Sequence, residues 1–241
     1  QENEISINSG QVLESSHFVV PGDISSAAFW LVVAAAFPDS QLTVKNVGLN
    51  PTRNGILKIL VRMGAYVSES VGTNSGGEEI GNVSIQGGKL QGIEIGGDIV
   101  PNIIDEIPII AVAAALAEGK TIIKDAAELR VKESDRISAV AENLRKMGVD
   151  LQETSDGMVI NGGNELQGAE LESFGDHRIA MAFAVAGLFA SGQTSITDAG
   201  CAAISYPNFE AHLIQLTSGN GKFSDRPTPV ITSFPESNSK E

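Results

Sequence analysis

One run of residues comes round three times. Ala34-Ala35-Ala36-Phe37 precedes Leu42-Thr43-Val44, Ala113-Ala114-Ala115-Leu116 precedes Thr121-Ile122-Ile123, and Ala186-Gly187-Leu188-Phe189 precedes Thr194-Ser195-Ile196. Arg62-Met63-Gly64-Ala65 is echoed by Lys146-Met147-Gly148-Val149. A period of roughly 75 residues with one order of elements marks an internally repeated fold. Chance likeness between alanine-rich helices does not reproduce the glycine stops.

Within the first repeat, residues 25–37 read as a small-residue helix and residues 41–47 as a strand. Residues 51–63 read as a second helix with Pro51 at its first position, followed by strands at 65–70 and 82–86. The unit is βαβαββ-like, the class is α/β, and the alanine-rich helices are expected inside, with sheets around them. Residues 4–7 and 17–20 read as a hairpin-like pair with little beside it to pack on. Gly72 to Gly81 has the composition of a mobile surface loop. Beyond Leu216 the pattern dissolves. Disorder is expected after about Phe223, with residues 230–232 as a short docked strand at most.

The chain has 241 residues, 42% of them hydrophobic, which is enough for a sizeable core. Its net charge of −14 argues against nucleic acid or an anionic membrane as partner, since both need a basic face. No run of about 18 apolar residues is present to span a bilayer. A lone Cys201 rules out an internal disulfide and suits a reducing cytoplasm. His17, His177 and His212 lack ligand spacing, so no structural metal is expected. The chain begins at Gln1, with no basic segment followed by an apolar one. It reads as a piece cut from a longer protein.

Against that acidic background, Leu129-Arg130-Val131-Lys132-Glu133-Ser134-Asp135-Arg136 crowds three cations into one turn. Ile137, Val140, Leu144 and Met147 then recur at helical spacing up to Gly148, so Ser134 or Asp135 is the expected N-cap. A helix start favours phosphate or carboxylate. Two readings of the turn stand: an anion receptor built from Arg130, Lys132 and Arg136, or a solvated lattice of ion pairs.

The same turn, together with Gly175-Asp176-His177-Arg178-Ile179-Ala180-Met181-Ala182 and Ile103-Ile104-Asp105-Glu106, resembles the 5-enolpyruvylshikimate-3-phosphate synthase family. The likeness runs in order from about Gly22 to Phe209 and covers the C-terminal half of such an enzyme. It implies three repeats closed into one domain of an inside-out barrel, at residues 22–223. Residues 1–21 would end the second domain and form the hinge, and residues 224–241 would be a tail. The implied reaction transfers the enolpyruvyl group of phosphoenolpyruvate to shikimate 3-phosphate, without metal or cofactor, in an enzyme that is a glyphosate target. The N-terminal half would be the required partner.

Three matching segments are each expected where a strand feeds a helix start: 102–105 before a helix at 106–117, 130–136 before 137–147, and 174–176 before 177–189. On a pseudo-threefold arrangement those starts would share one mouth. The resemblance assigns Asp105 to the shikimate hydroxyls and to base catalysis, and Glu133 to proton transfer at the enolpyruvyl carbon. It assigns Arg136 and Arg178 to phosphoenolpyruvate and Lys132 to the shikimate phosphate and hydroxyls. Read without it, Asp105 is a helix N-cap and Arg178 pairs with Asp176. His177 either hydrogen-bonds the leaving group or caps its helix.

Three departures from the family pattern bear on the site. A lysine common in relatives is replaced within Ala203-Ile204-Ser205-Tyr206-Pro207, and Glu128 stands where relatives often have an amide, so a sugar contact there is in doubt. Asn50-Pro51-Thr52-Arg53 resembles a motif of the glyphosate-insensitive bacterial branch. Two other functions fit the repeats: a non-catalytic phosphate-binding or assembly module, and an enolpyruvyl transferase acting on a UDP-sugar.

Overall fold

Three helices, α1 (Ile24–Ala36), α4 (Ile107–Leu116) and α6 (His177–Gly187), form the centre, and each packs on the other two. The computed structural model describes residues 6–12, 15 and 17–218. All three helices are apolar on nearly every side, a pattern that only a buried helix tolerates. Their alanines let the backbones approach closely. Ala28, Ala35, Ala111 to Ala114, Ala182 and Ala186 are sealed from solvent.

The order of elements repeats around this centre. The first unit runs α1, β1 (Gln41–Gly48), α2 (Gly55–Arg62) and a hairpin of β2 (Tyr66–Ser75) and β3 (Glu78–Gln86). The second runs β4 (Glu94–Ile95), a short α3 (Val100–Ile103), α4, β5 (Gly119–Ile123), α5 (Arg136–Lys146) and a hairpin of β6 (Asp150–Thr154) and β7 (Gly157–Gly162). The third runs β8 (Glu170–Glu172), α6, β9 (Ser195–Thr197) and α7 (Phe209–Ser218), where the described residues end.

Sheet order is β1-β3-β2, then β4-β5-β7-β6, then β8-β9. In every unit the entry is a parallel pairing: Gly22 with Val47, β4 with β5, β8 with β9. Each unit also carries one left-handed polar residue at or just after the strand that follows its central helix: Asn46 (φ 55), Asp125 (φ 63) and Asp198 (φ 54). The α/β class and the repeated layout follow the expectation from sequence, with helices inside and sheets outside.

The glycine stops are true helix terminators. Gly64 (φ 100) and Gly148 (φ 84) are left-handed. Beyond them Ala65 N–H donates to the Leu60 carbonyl and Val149 N–H to that of Leu144. This closes the last turn of α2 and α5 in the same way.

Several local expectations are corrected. Pro51 does not start α2, because the Asn50 carboxamide accepts the backbone N–H and hydroxyl of Thr52 and holds residues 50–53 in a turn. The helix begins at Gly55, whose N–H donates to Asn102 Oδ1 at 2.9 Å. The segment from Gly72 to Gly81 is not a loop. It continues the β2–β3 ribbon to a two-residue turn, in which Gly76 (φ 64) and Gly77 (φ 90) supply the positive φ that a tight hairpin needs.

Residues 6–7 and 17–20 form no strands: Phe18, Val19 and Val20 stay largely exposed, and Val19 N–H donates to Ser75 Oγ at the end of the ribbon rather than to a strand backbone. The expectations for residues 224–241, including a strand at 230–232, lie outside the described residues. Among the described residues no single helix is long and apolar enough to cross a membrane, although one bent pair passes by length and composition.

Candidate active site

Charged side chains converge where α4, α5 and α6 begin. Asp135 caps α5, accepting from Ser138 N–H at 3.1 Å, and Asp176 caps α6, accepting from Arg178 N–H at 2.9 Å. Helix α4 carries no side-chain cap. The segment before it, residues 97–103, meets α4 at 111°, and Asp105 sits on that corner. Only the last of the three helix starts is fed directly from a strand, through left-handed Phe174 (φ 56) and Gly175 (φ 68). The first is preceded by α3 and the second by a 3-10 turn over Ala127–Val131. These turns place Asp105 and Glu133 at the corners.

Arg136 is the hub, at 1% exposure. Its Nε donates to Asp176 Oδ2 at 2.8 Å and its Nη2 to Asp176 Oδ1 at 3.3 Å. Nη2 also donates to Glu133 Oε2 at 2.6 Å, and Nη1 to Asp105 Oδ1 at 3.3 Å. A guanidinium can be buried only when its donors are met by charge. Asp176 is wholly buried. Burial alone would push its carboxyl up, but the hydrogen bonds and charge of Arg136 outweigh this and hold it below the usual aspartate range.

Asp105 gathers two further cations. Arg178 Nη1 donates to the Asp105 carbonyl at 3.2 Å, and Nη2 lies 3.6 Å from Oδ2. Lys132 Nζ lies 3.9 Å from Asp105 Oδ1 and 2.6 Å from Glu128 Oε1. Asp105 thus marks the point where Lys132, Arg136 and Arg178 meet, with Glu133 reached through Arg136. The Arg178 side chain does not pair with Asp176 as the plain reading of its helix suggested. His177 does not cap α6, since Asp176 does. Burial and the charge of Arg178 lower its pKa, against the pull of Asp176 and Glu133, so the imidazole is neutral at pH 7.

Arg130 is a correction. The sequence groups it with Lys132 and Arg136 as an anion holder, yet its donors go to Asp135 (2.9 Å), Ser138 (2.8 Å), Glu153 (2.7 Å) and the carbonyls of Thr154 and Ser155. It ties the charged turn to the β6–β7 hairpin. Its hydrogen bonds also hold the carboxyls of Asp135, against burial, and Glu153 below their usual range.

Two groups were missed. Glu106 is a buried carboxyl 3.8 Å from Arg178 Nη1, and burial raises its pKa. Arg53 donates to Ser25 Oγ at 3.2 Å, which brings the start of α1 towards the same corner. In the stretch without the lysine only Tyr206 reaches inward: its hydroxyl accepts from Trp30 Nε1 at 3.0 Å and bonds His212 Nδ1 at 2.8 Å, while Ile204 stays exposed. Among the described residues no group of three or more His, Cys, Asp or Glu could hold a metal ion.

The profile of the EPSP synthase (3-phosphoshikimate 1-carboxyvinyltransferase) family matches residues 1–213. The chain belongs to the EPSP synthase family. It is 55% identical over 197 residues to the 3-phosphoshikimate 1-carboxyvinyltransferase of Desulforamulus reducens, covering 82% of this chain and 46% of that one. It is 52% identical over 217 residues to the enzyme of the same name from Synechocystis sp., covering 90% and 48%.

The solved EPSP synthase of Acinetobacter baumannii superposes with a TM-score of 0.81 at 42% identity, over 86% of this chain and 48% of that one. The enolpyruvyl transferase NikO of Streptomyces tendae shares the fold at a TM-score of 0.64 and 20% identity, over 82% of this chain and 43% of that one. This EPSP synthase family chain therefore spans about half the length of the curated relatives it matches.

Proposed function

We propose that this chain supplies the C-terminal half of a 3-phosphoshikimate 1-carboxyvinyltransferase and turns over only with the N-terminal half. On this reading residues 1–21 lead into the second domain, residues 22–223 form the three-repeat domain, and the enzyme works in the cytoplasm. The observation that carries the proposal is the meeting of Lys132, Arg136 and Arg178 at Asp105, one guanidinium away from Glu133. Both substrates are anions, and the corner offers three cations and two acids within reach of one another.

In the reaction the 5-hydroxyl of shikimate 3-phosphate forms a bond to C2 of phosphoenolpyruvate. Its proton is taken up by a carboxylate, and a proton is added to the methylene carbon, giving a tetrahedral ketal. The C2–O bond to phosphate then breaks, a methyl proton returns to the protein, and the enol ether and phosphate leave. Two acids in different settings can carry those protons.

Asp105 takes the hydroxyl proton and Glu133 serves the enolpyruvyl carbon. Arg136 and Arg178 grip phosphoenolpyruvate, since a planar guanidinium can meet a carboxylate or phosphate with two bonds. Arg136 releases Glu133 or Asp105 to do so. Lys132 holds the shikimate phosphate and hydroxyls, with Glu128 as its resting partner, and neutral His177 is placed beside the leaving group.

The reading is tested by mixing the chain with the N-terminal half and following phosphate release. Release is expected only with phosphoenolpyruvate and shikimate 3-phosphate together, and not when a UDP-sugar replaces the latter. Turnover with the UDP-sugar, or full turnover by the chain alone, would overturn it.

A further inference from the structure

Glu106 is a buried acid for which the proposed reaction has no use. It is 3% exposed, and its Oε1 accepts no hydrogen bond among the described residues. A half-satisfied buried carboxyl is costly. Arg178 Nη1 stands 3.8 Å from that oxygen, while Arg178 Nη2 stands 3.6 Å from Asp105 Oδ2. The guanidinium therefore lies between two carboxyls and is closed on neither, held at 3.2 Å by the Asp105 carbonyl. A movement of under about 1 Å would bring Nη1 into hydrogen-bond range of Oε1.

The other side of Glu106 is supported. Ser25, at the start of α1, favours the charged form of its carboxyl, and Arg53, from the turn before α2, donates to Ser25 Oγ at 3.2 Å. Four groups thus face the acid: Ser25, Arg178 and Arg53 favour its charged form, and Asp105 opposes it.

We propose that Glu106 is a positioning residue for Arg178, the second seat onto which the guanidinium closes once Asp105 is taken up by a substrate hydroxyl. This rests on the reading of the site as a carboxyvinyltransferase, in which Asp105 meets the shikimate hydroxyls. Closing on Glu106 keeps Arg178 fixed after its first partner is engaged, with its remaining donors free for the anion.

Carboxyl carbon NMR on the isolated chain tests the pairing, with Glu106→Gln identifying the resonance. Replacing Arg178 by Gln is expected to raise the Glu106 midpoint by about one pH unit or more, and Arg53→Gln to raise it less. A midpoint that does not move in Arg178→Gln would overturn the proposal, whether or not the enzyme can be assembled. In the assembled enzyme, Glu106→Gln is expected to raise KM for phosphoenolpyruvate about tenfold or more, with a much smaller change in kcat, and Glu106→Asp to recover part of the loss. An unchanged KM would also overturn it. Failure of the unsubstituted pair to turn over would strike the assigned reaction instead, and the NMR result would still decide the Glu106–Arg178 pairing.

Discussion

Arg136 Nε lies 2.8 Å from Asp176 Oδ2, and neither side chain reaches solvent. This pair joins the start of α5 to the start of α6 across 40 residues of sequence and sets the floor of the charged corner. Removing one partner of a buried pair leaves the other charge unpaired, so Asp176→Asn is expected to cost about 3 kcal/mol or more, read as a lowered urea midpoint.

The pair also contributes to the acid limit of the fold, with Asp135 and Glu153. Because the folded-state pKa of Asp176 is depressed, its contribution is fully present above about 3.9, the ordinary aspartate value, and is lost as pH falls through its lower folded value. Urea midpoints measured from pH 6 down to pH 2 should fall more steeply for the unsubstituted chain than for Asp176→Asn.

Glu106 has the opposite sign. Its raised pKa means the folded state holds that proton more tightly than the unfolded chain does, so its contribution to stability declines as pH rises from about 4.3 towards the folded value. Glu106→Gln removes the decline. A gain in stability at pH 8, absent below about pH 4, is expected from denaturant titration, alongside weaker phosphoenolpyruvate binding, a trade common at functional sites.

Arg130 acts on the turn rather than on a ligand. A lysine cannot reproduce its fork of bonds to Asp135, Ser138, Glu153 and two carbonyls. Arg130→Lys should lose about 2 kcal/mol of stability in thermal or urea unfolding.

Much of the architecture was legible because it is written in local chemistry. The alanine runs, the repeated Met-Gly stops and the cap at Asp135 each act within a few residues, and the first two recur in register with the repeat. What stayed hidden depends on distant partners. Nothing near Arg130 shows that Glu153 and the carbonyls of residues 154 and 155 will consume it. Glu106 looks like any first-turn acid until α1 and α6 close over it. The Gly76-Gly77 pair was a turn signal in plain view, but residues 72–79 read as a loop because they carry no apolar side chain. Pro51 misled because the Asn50 side chain competes for the same backbone groups.

The central claim is that Asp105 and Glu133 carry protons at a corner built by three helix starts. The most direct measurement is phosphate release by the chain joined with its N-terminal half, given phosphoenolpyruvate and shikimate 3-phosphate, for the unsubstituted protein against Asp105→Asn and Glu133→Gln. A rate loss of about 100-fold or more in each variant, with folding intact, is the predicted result. Variants that release phosphate as fast as the unsubstituted pair would contradict it.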